Sequence, residues 1–179
     1  MTDEQRTPTQ IDTIADAWVD TAAELSPGLA TYIGRFEYND RLDDLSPEGH
    51  ARAYEAARSA LAALEAAEPV DEVDVVTQAD LAGDLRLDIE LHEARNHLRD
   101  LNVIASPAQE IRSIFDLMPT DTVEDWGHVS ARLKAVPAAI EGYIETLRLG
   151  ISEGVVPARR QVNEVVTQIG RYTADNGFF

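Results

Sequence analysis

The 179-residue chain contains no cysteine, which excludes disulfides, thiolate-ligated zinc and cysteine nucleophiles. It also lacks any run of about 18 apolar residues that would indicate a membrane-spanning helix. The opening segment MTDEQRTPTQ carries acidic residues and no apolar run, which distinguishes it from a secretory signal. These absences predict a cytoplasmic protein that does not cross a membrane.

Basic residues are scarce in this chain. Lys and Arg together number 15 against 33 Asp and Glu, and the formal net charge at pH 7 is -18. Phosphate backbones and anionic lipids repel a protein of this charge, so we expect neither nucleic acid nor a membrane surface among its partners. The chain also lacks the GxGxxG and P-loop patterns of nucleotide sites and the GxSxG elbow of serine hydrolases.

Helix signals are present along the whole chain. Thr or Ser precedes Pro at Thr7, Ser26, Ser46 and Ser106, a pairing typical of helix starts. Apolar residues between these starts recur at steps of three and four, whereas strand-like alternation is confined to residues 70–76. The pattern predicts a single all-α domain over residues 1–179, an antiparallel bundle or array of about six or seven helices.

The predicted central helix covers residues 73–101 and is the longest of the set, because its apolar stripe continues through Leu98 and Leu101. Pro137 and Pro157 are each predicted in a first helical turn, where proline is tolerated, so that they separate helices. Residues 26–45 form a long irregular segment with one helical turn ending at Gly34. Such a segment either covers one end of the bundle or carries function.

The segment LHEARNHLRD at residues 91–100 nearly matches the HExxH signature of zinc peptidases. The histidines of HExxH are four residues apart and face one ion, but His92 and His97 are five apart. On a continuous helix this spacing separates them by about 140°, so they point away from each other. We therefore predict that this segment is not a zinc-peptidase motif. His50 and His128 are predicted to be surface residues near helix starts.

Asp80, Asp84, Asp88 and His92 recur at intervals of four and form a stripe on the predicted central helix. Asp84, Asp88 and His92 are the candidate metal ligands, since carboxylates and imidazole are the groups used in metal sites of helical bundles. The alternatives are a solvated acidic stripe or ion pairs with Arg86, Arg95 or an arginine of another helix. We predict no catalytic and no cofactor-binding residue in this chain.

Three segments resemble the N-terminal region of the bacterial domain-of-unknown-function 885 family. They are SPGLATYIGRFEYNDRLDDLSPEG at 26–49, LRDLNVIASPAQEIRSIFDLMPTDTVEDW at 98–126 and ARRQVNEVVTQ at 158–168. Full-length members of that family are considerably longer and resemble zinc metallopeptidases, with an HExxH in the later half. The resemblance therefore implies that any zinc belongs to the full-length protein and that this chain supplies no ligand to it.

The resemblance implies a non-catalytic N-terminal helical portion of a cytoplasmic zinc-dependent peptidase-like protein, forming a wall or lid of a substrate channel. Its partners would be the C-terminal half of the same protein, a second copy or a peptide. The ending RYTADNGFF, with two terminal aromatics, is expected where a longer chain has been cut. The alternatives are a free-standing helical binding or scaffold module and a small metal-dependent enzyme that uses Asp84, Asp88 and His92.

Overall fold

The computed structural model describes residues 6–178, in which seven α-helices follow one another without a strand. They are α1 (Gln10–Leu25), α2 (Pro27–Tyr32), α3 (Pro47–Ala66), α4 (Glu72–Glu93), α5 (Pro107–Ser113), α6 (Val123–Glu153) and α7 (Arg159–Tyr172). Short 3-10 helices cover Phe36–Tyr38, Asn96–Arg99 and Ile114–Leu117. The all-α prediction is confirmed. Every helix within residues 6–178 is too short or too polar to cross a bilayer.

Helix starts follow the caps that the sequence contains. The Ser46 hydroxyl accepts a hydrogen bond from the Gly49 amide at the start of α3. Ser106 and Gln109 form a reciprocal capping box at the start of α5, as predicted. At α1 the cap is Thr9 with Asp12, two residues after the predicted Thr7. A tertiary contact favours Thr9 as the cap, because its hydroxyl also donates a hydrogen bond to Asp74 of α4 at 2.8 Å.

The first core cluster joins α1, α3 and α4. Its buried members are Ile11, Ala57, Leu64, Ala67, Ala82 and Leu85. Half of these side chains are alanines, which let the helix backbones approach closely. The amide of Gln78 on α4 donates to the carbonyls of Leu64 and Ala67, so it satisfies the C-terminal end of α3.

A second core cluster packs α5 and the following 3-10 helix against α6. Its members are Ile111, Ile114, Phe115, Met118, Val136 and Ala139. Leu42 and Leu45 of the irregular segment before α3 pack against the same cluster. The segment therefore covers part of the bundle, which is one of the two roles predicted for it. The predicted helical turn is α2, and Gly34 follows it with a positive φ of 81°.

The longest helix of the described residues is α6, with 31 residues, and not the predicted stretch 73–101, which leaves the α-helix after Glu93. Pro137 lies inside α6, so the prediction that it separates two helices is wrong. Proline removes one helical hydrogen bond and frees the carbonyl of Leu133, but both residues are exposed and water can hydrate that carbonyl. On the opposite side, buried Val136 and Ala139 keep the helix on the second core cluster.

Arg132 of α6 is fully buried and binds the irregular segment. Its guanidinium donates to the carbonyl oxygens of Arg41 at 2.8 Å and Tyr38 at 3.2 Å. It also donates to the Thr31 hydroxyl at 3.0 Å and, more weakly, to the Pro27 carbonyl at 3.4 Å. One side chain thus joins both α2 and the loop that follows it within the irregular segment to α6, and we call this network the Arg132 clamp.

Candidate functional site

An open cleft of about 450 Å³ lies between α1, α3, α4 and the Asn96–Arg99 turn. Trp18 of α1 and the small side chains of Ala53 and Ala57 on α3 form part of its apolar lining. Its titratable lining residues come from three elements: His50, Tyr54, Asp84, Asp88, His92, His97 and Asp100. The cleft is open because Ala53 and Ala57 of α3 are small, and larger side chains at these two positions would fill it.

His92 and His97 meet in this cleft because α4 ends between them. Ala94 caps α4, and Arg95 adopts the left-handed conformation with φ 60°. The chain then continues as a 3-10 turn, and the two imidazole rings stack at a centroid distance of 4.4 Å with an interplanar angle of 9°. The prediction that they point away from each other is wrong, because it assumed that one α-helix carries both.

Two residues of α3 extend the stack in both directions. The Tyr54 ring lies 4.3 Å from His92 at an interplanar angle of 17°. The His50 ring lies 4.8 Å from His97 at 35°. We call Tyr54, His92, His97 and His50, in this spatial order, the ring column. His50 is therefore a half-buried part of the cleft and not the surface residue that the sequence predicted.

Contacts around the ring column fix its Tyr54 end and the turn that carries His97. The Tyr54 hydroxyl donates to a Glu93 carboxylate oxygen at 2.9 Å. Leu98, next to His97, is fully buried. The buried Tyr143 of α6 donates to the backbone carbonyl of Asp100 at 2.5 Å, just beyond the turn. These contacts position the 3-10 turn, and with it His97, on the rest of the bundle.

The histidines of the column are neutral near pH 7. Burial lowers the pKa of His50 and of His92, since it disfavours the charged imidazolium. Burial is the main cause that lowers the pKa of His97 to about 4, and the neighbouring His50 and His92 contribute to the same shift. The His97 Nδ1 is buried without a hydrogen-bond partner in residues 6–178, so an N–H formed there by protonation would have no acceptor for its hydrogen bond.

The carboxylates of the cleft have the opposite tendency. Burial raises the pKa of Asp88, and the charge of Asp84 raises it again. Burial also raises the pKa of Asp100. One alternative for the acidic stripe was ion pairing with Arg86 or Arg95, but Arg86 pairs with Glu65 at 2.6 Å and Arg95 with Glu153 at 3.4 Å. Within residues 6–178, Asp84, Asp88 and Asp100 therefore form no ion pair with either of these arginines.

The candidate metal ligands Asp84, Asp88 and His92 all line the cleft, on one side of α4. The stacked imidazoles of His92 and His97 are nearly parallel, so their nitrogens do not converge on a point between them. Among residues 6–178, no group of three or more His, Asp or Glu side chains is arranged to hold a metal ion. The zinc implied by the resemblance therefore has no fitting set of ligands in the part of the chain described.

A family model described as bacterial protein of unknown function (DUF885) matches residues 27–178. The chain belongs to this family. No curated protein matches it. The match begins at α2, so three walls of the cleft of this DUF885 protein, α3, α4 and the Asn96–Arg99 turn, lie inside the family region, while Trp18 of α1 lies outside it.

The ring column of this DUF885 protein was not predicted from the sequence. His50 and Tyr54 are four residues apart on α3 and so share one helix face, which was a usable signal. The end of α4 was hidden, because Leu91, Ala94, Leu98 and Leu101 continue its apolar spacing. Leu98 is buried as expected, but it is buried from a 3-10 turn.

His97 should make the DUF885 protein less stable as the pH falls. An unfolded histidine titrates near pH 6.5, whereas folded His97 titrates at about 4, so between these values the unfolded state binds more protons. The stability contributed by neutral His97 is complete above pH 6.5 and is lost as the pH falls towards 4. Between pH 6.5 and 4.5 we expect the wild type to lose about 1 kcal/mol more than His97→Gln, a value reduced because the ring is partly solvated.

Urea denaturation at a series of pH values measures this difference. His128→Gln is the matched control, because His128 lies at the start of α6 outside the ring column. Carboxyl groups with raised pKa act in the opposite direction, so the comparison is made between variants and not on the wild type alone. Parallel pH profiles for His97→Gln and the wild type would contradict the prediction.

Proposed function

We propose that this DUF885 chain is the non-catalytic, N-terminal helical portion of a cytoplasmic zinc-dependent peptidase-like protein and forms a wall of its peptide channel. The observation that supports this most directly is the open cleft between α1, α3 and α4, with its mixed apolar and polar lining. Clefts of this size with a few convergent polar groups are typical ligand sites. Family membership agrees with the proposal without specifying an activity.

The shape of the cleft favours an extended ligand. Ser26 and Leu29 line the cleft and also a second cavity of about 230 Å³. Leu42 and Ile111 contribute to the second cavity, whose lining is mainly apolar and includes the carboxyl groups of Asp43 and Glu110. A peptide presents apolar and polar groups in succession, so it matches two adjoining cavities of different character.

The outer surface of α6 supports a packing role. Large apolar side chains are exposed along this helix at Val123, Trp126, Leu133, Ile140, Ile144 and Ile151. An exposed apolar stripe of this length is typical of a surface that packs against further protein. In the proposal this surface contacts the C-terminal half of the same protein, or a second copy when that half is not present.

A free-standing helical binding module is the second candidate function. The same cleft supports it, because peptide binding between helices requires no catalytic domain. The two functions differ in whether the α6 stripe is covered by further chain of the same protein. Co-purification of this chain with a separately produced C-terminal half of the full-length protein would favour the channel wall, and its failure would favour the free-standing module.

Peptide binding in the cleft is the experiment that tests the proposal. A mixture of fluorescein-labelled unstructured decapeptides is expected to bind the wild-type chain, as measured by fluorescence anisotropy. Ala53→Trp fills the cleft from α3 and should weaken binding at least about tenfold. Ala62→Trp is the control, since nine residues along the same helix place it on the opposite, exposed face.

Equal binding by Ala53→Trp and Ala62→Trp would place the peptide elsewhere and contradict the proposal. The same peptides should remain intact during prolonged incubation with the chain, because the proposal assigns catalysis to another part of the protein. Cleavage that reproducibly disappears on addition of a chelator would show that the chain is itself an enzyme.

A further inference from the structure

The second cavity has an apolar wall that belongs to the core of the protein. Ile111, Ile114 and Ala139 line the cavity, and all three are members of the second core cluster. Leu42 and Leu45 of the irregular segment complete this wall and pack against the same cluster. At about 230 Å³ the cavity is smaller than the roughly 300–1,000 Å³ of typical small-molecule sites, so it suits one side chain of a larger ligand.

Two carboxyl groups share the lining with this apolar wall. Asp43 is fixed in place, because its two oxygens accept hydrogen bonds from the Ser26 hydroxyl at 2.6 Å and from the Gly28 amide at 2.7 Å. Glu110 of α5 is an exposed residue, and its carboxyl group has no hydrogen bond or ion pair within residues 6–178. The cavity thus contains one anchored carboxylate and one that is available to a ligand.

Charge effects show that several carboxylates lie near Glu110. Desolvation by the surrounding protein raises the pKa of Glu110, although the residue as a whole is exposed, and the charges of Asp100 and Asp43 raise it further. No cation of the described chain offsets these effects. A positive group held at Glu110 would therefore also be attracted by Asp43 and by Asp100, which lines the adjoining cleft.

The arginines of the neighbouring elements bind elsewhere. Arg112 of α5 pairs with Asp116, and Arg132 of α6 donates to backbone carbonyls of the irregular segment. The guanidinium carbon of Arg41 lies 4.8 Å from the centroid of the Tyr38 ring. No arginine or lysine of residues 6–178 lines the cavity, so the Glu110 carboxylate is left for a positively charged ligand.

A ligand that matches this cavity needs a slender apolar part with a positive end. The lysine side chain has both, because its four-carbon stem packs along apolar surface and its ammonium group donates hydrogen bonds in three directions. Arginine ends in a larger group whose donors lie in one plane, which suits a single carboxylate better than several around it. An uncharged aliphatic side chain would fill the apolar wall but leave Glu110 unpaired.

We propose that the second cavity binds a lysine side chain of a peptide, with its stem against Ile111 and Ile114 and its ammonium group paired with Glu110. This inference rests on the proposed function for the statement that the ligand is a peptide. Ser26 and Leu29 line both the cleft and the second cavity, so a peptide in the cleft lies beside the second cavity and is placed to insert one side chain into it.

Three labelled decapeptides of one sequence, with lysine, norleucine or arginine at the central position, test the inference. Norleucine has the hydrocarbon stem of lysine without the ammonium group. By fluorescence anisotropy at pH 7.5, we expect the lysine peptide to bind the full chain at least about tenfold more tightly than the norleucine peptide and several-fold more tightly than the arginine peptide.

Glu110→Gln should weaken binding of the lysine peptide about tenfold and leave the norleucine peptide unchanged. The variant should fold normally, since Glu110 is exposed and its carboxyl group makes no hydrogen bond within residues 6–178. Glu145→Gln is the matched control, because it removes one charge from the exposed surface of α6 outside both cavities. If both variants weaken binding equally, attraction to the net negative chain explains the affinity and the inference is wrong.

Methyl NMR spectra locate the bound side chain. The δ1 methyl resonances of Ile111 and Ile114 are expected to shift when the lysine peptide is added, because both residues line the cavity. Ile140 and Ile151 are the controls, since they are exposed on α6 and lie outside the cavity. Shifts at the controls as large as those at Ile111 and Ile114 would place the side chain elsewhere and overturn the inference.

The outcomes separate this inference from the proposed function. Equal affinity for the lysine and norleucine peptides, lost in both cases on Ala53→Trp, would overturn the lysine site and leave peptide binding in the cleft intact. Equal affinity for the lysine and arginine peptides would overturn the choice of lysine. Preferential binding of the lysine peptide that requires Glu110 but persists in Ala53→Trp would support the lysine site and contradict the cleft proposal. Absence of binding by all three peptides would overturn both.

Discussion

Arg132→Met is expected to lower the free energy of unfolding by about 3 kcal/mol. The Arg132 clamp donates hydrogen bonds to the carbonyls of Arg41 and Tyr38 and to the Thr31 hydroxyl. Methionine fills a similar volume but donates nothing, so these partly buried acceptors would lose the hydrogen bonds that Arg132 donates. The irregular segment before α3 would then detach from α6.

Urea denaturation at pH 7 measures the loss, and Arg86→Met is its matched control. Arg86 forms an exposed ion pair with Glu65, in which the side chains are 57% and 51% solvent-accessible, so its removal should change stability by less than about 1 kcal/mol. A loss in Arg132→Met no larger than in the control would show that the clamp does not hold the segment. Limited proteolysis should also cut residues 33–46 faster in Arg132→Met than in the control.

Gly150→Ala is expected to destabilise the protein by about 3 kcal/mol and to displace His97. A Cβ atom at this position of α6 would lie 2.4 Å from the carbonyl oxygen of Leu98 and 2.6 Å from that of Val155. Both neighbours are backbone atoms, which cannot rotate away as a side chain can. The Asn96–Arg99 turn must therefore move away from α6, and the ring column should separate between His92 and His97.

Gly83→Ala in α4 is the control for this substitution. Its Cβ would meet nothing within 4 Å, and alanine is the better helix former, so the variant should be as stable as the wild type or more stable by up to about 1 kcal/mol. Histidine NMR spectra report the column directly, because stacked rings shift one another's resonances. Unchanged histidine resonances and stability in Gly150→Ala would contradict the close approach of α6 to the turn.

Local signals predicted the fold well. Ser46 and Ser106 cap helices where the sequence placed them, because capping depends on residues within one turn. The irregular segment was found for the same reason, with Gly34 ending its helical turn. Pro137 shows the limit of such signals, since its local cost is offset by the packing of Val136 and Ala139 on the second core cluster.

The candidate site could be predicted only in parts. Asp84, Asp88 and His92 were correctly placed on one helix, and all three line the cleft. The ring column was missed, because it needs α4 to end after Glu93 and α3 to bring His50 and Tyr54 alongside. Neither event has a signal within the segment LHEARNHLRD itself, whose apolar spacing is that of a continuous helix.

By itself, the sequence determined the helical class, the strong negative charge and the exclusion of thiol chemistry, because composition, capping and periodicity are properties of short stretches of chain. Only the tertiary structure decided where the histidines lie and which arginine is buried. The approach of α6 at Gly150 positions the turn that carries His97, and the fully buried Arg132 holds a segment far away in sequence. Both depend on contacts between distant residues, and such contacts leave no periodic pattern in the sequence.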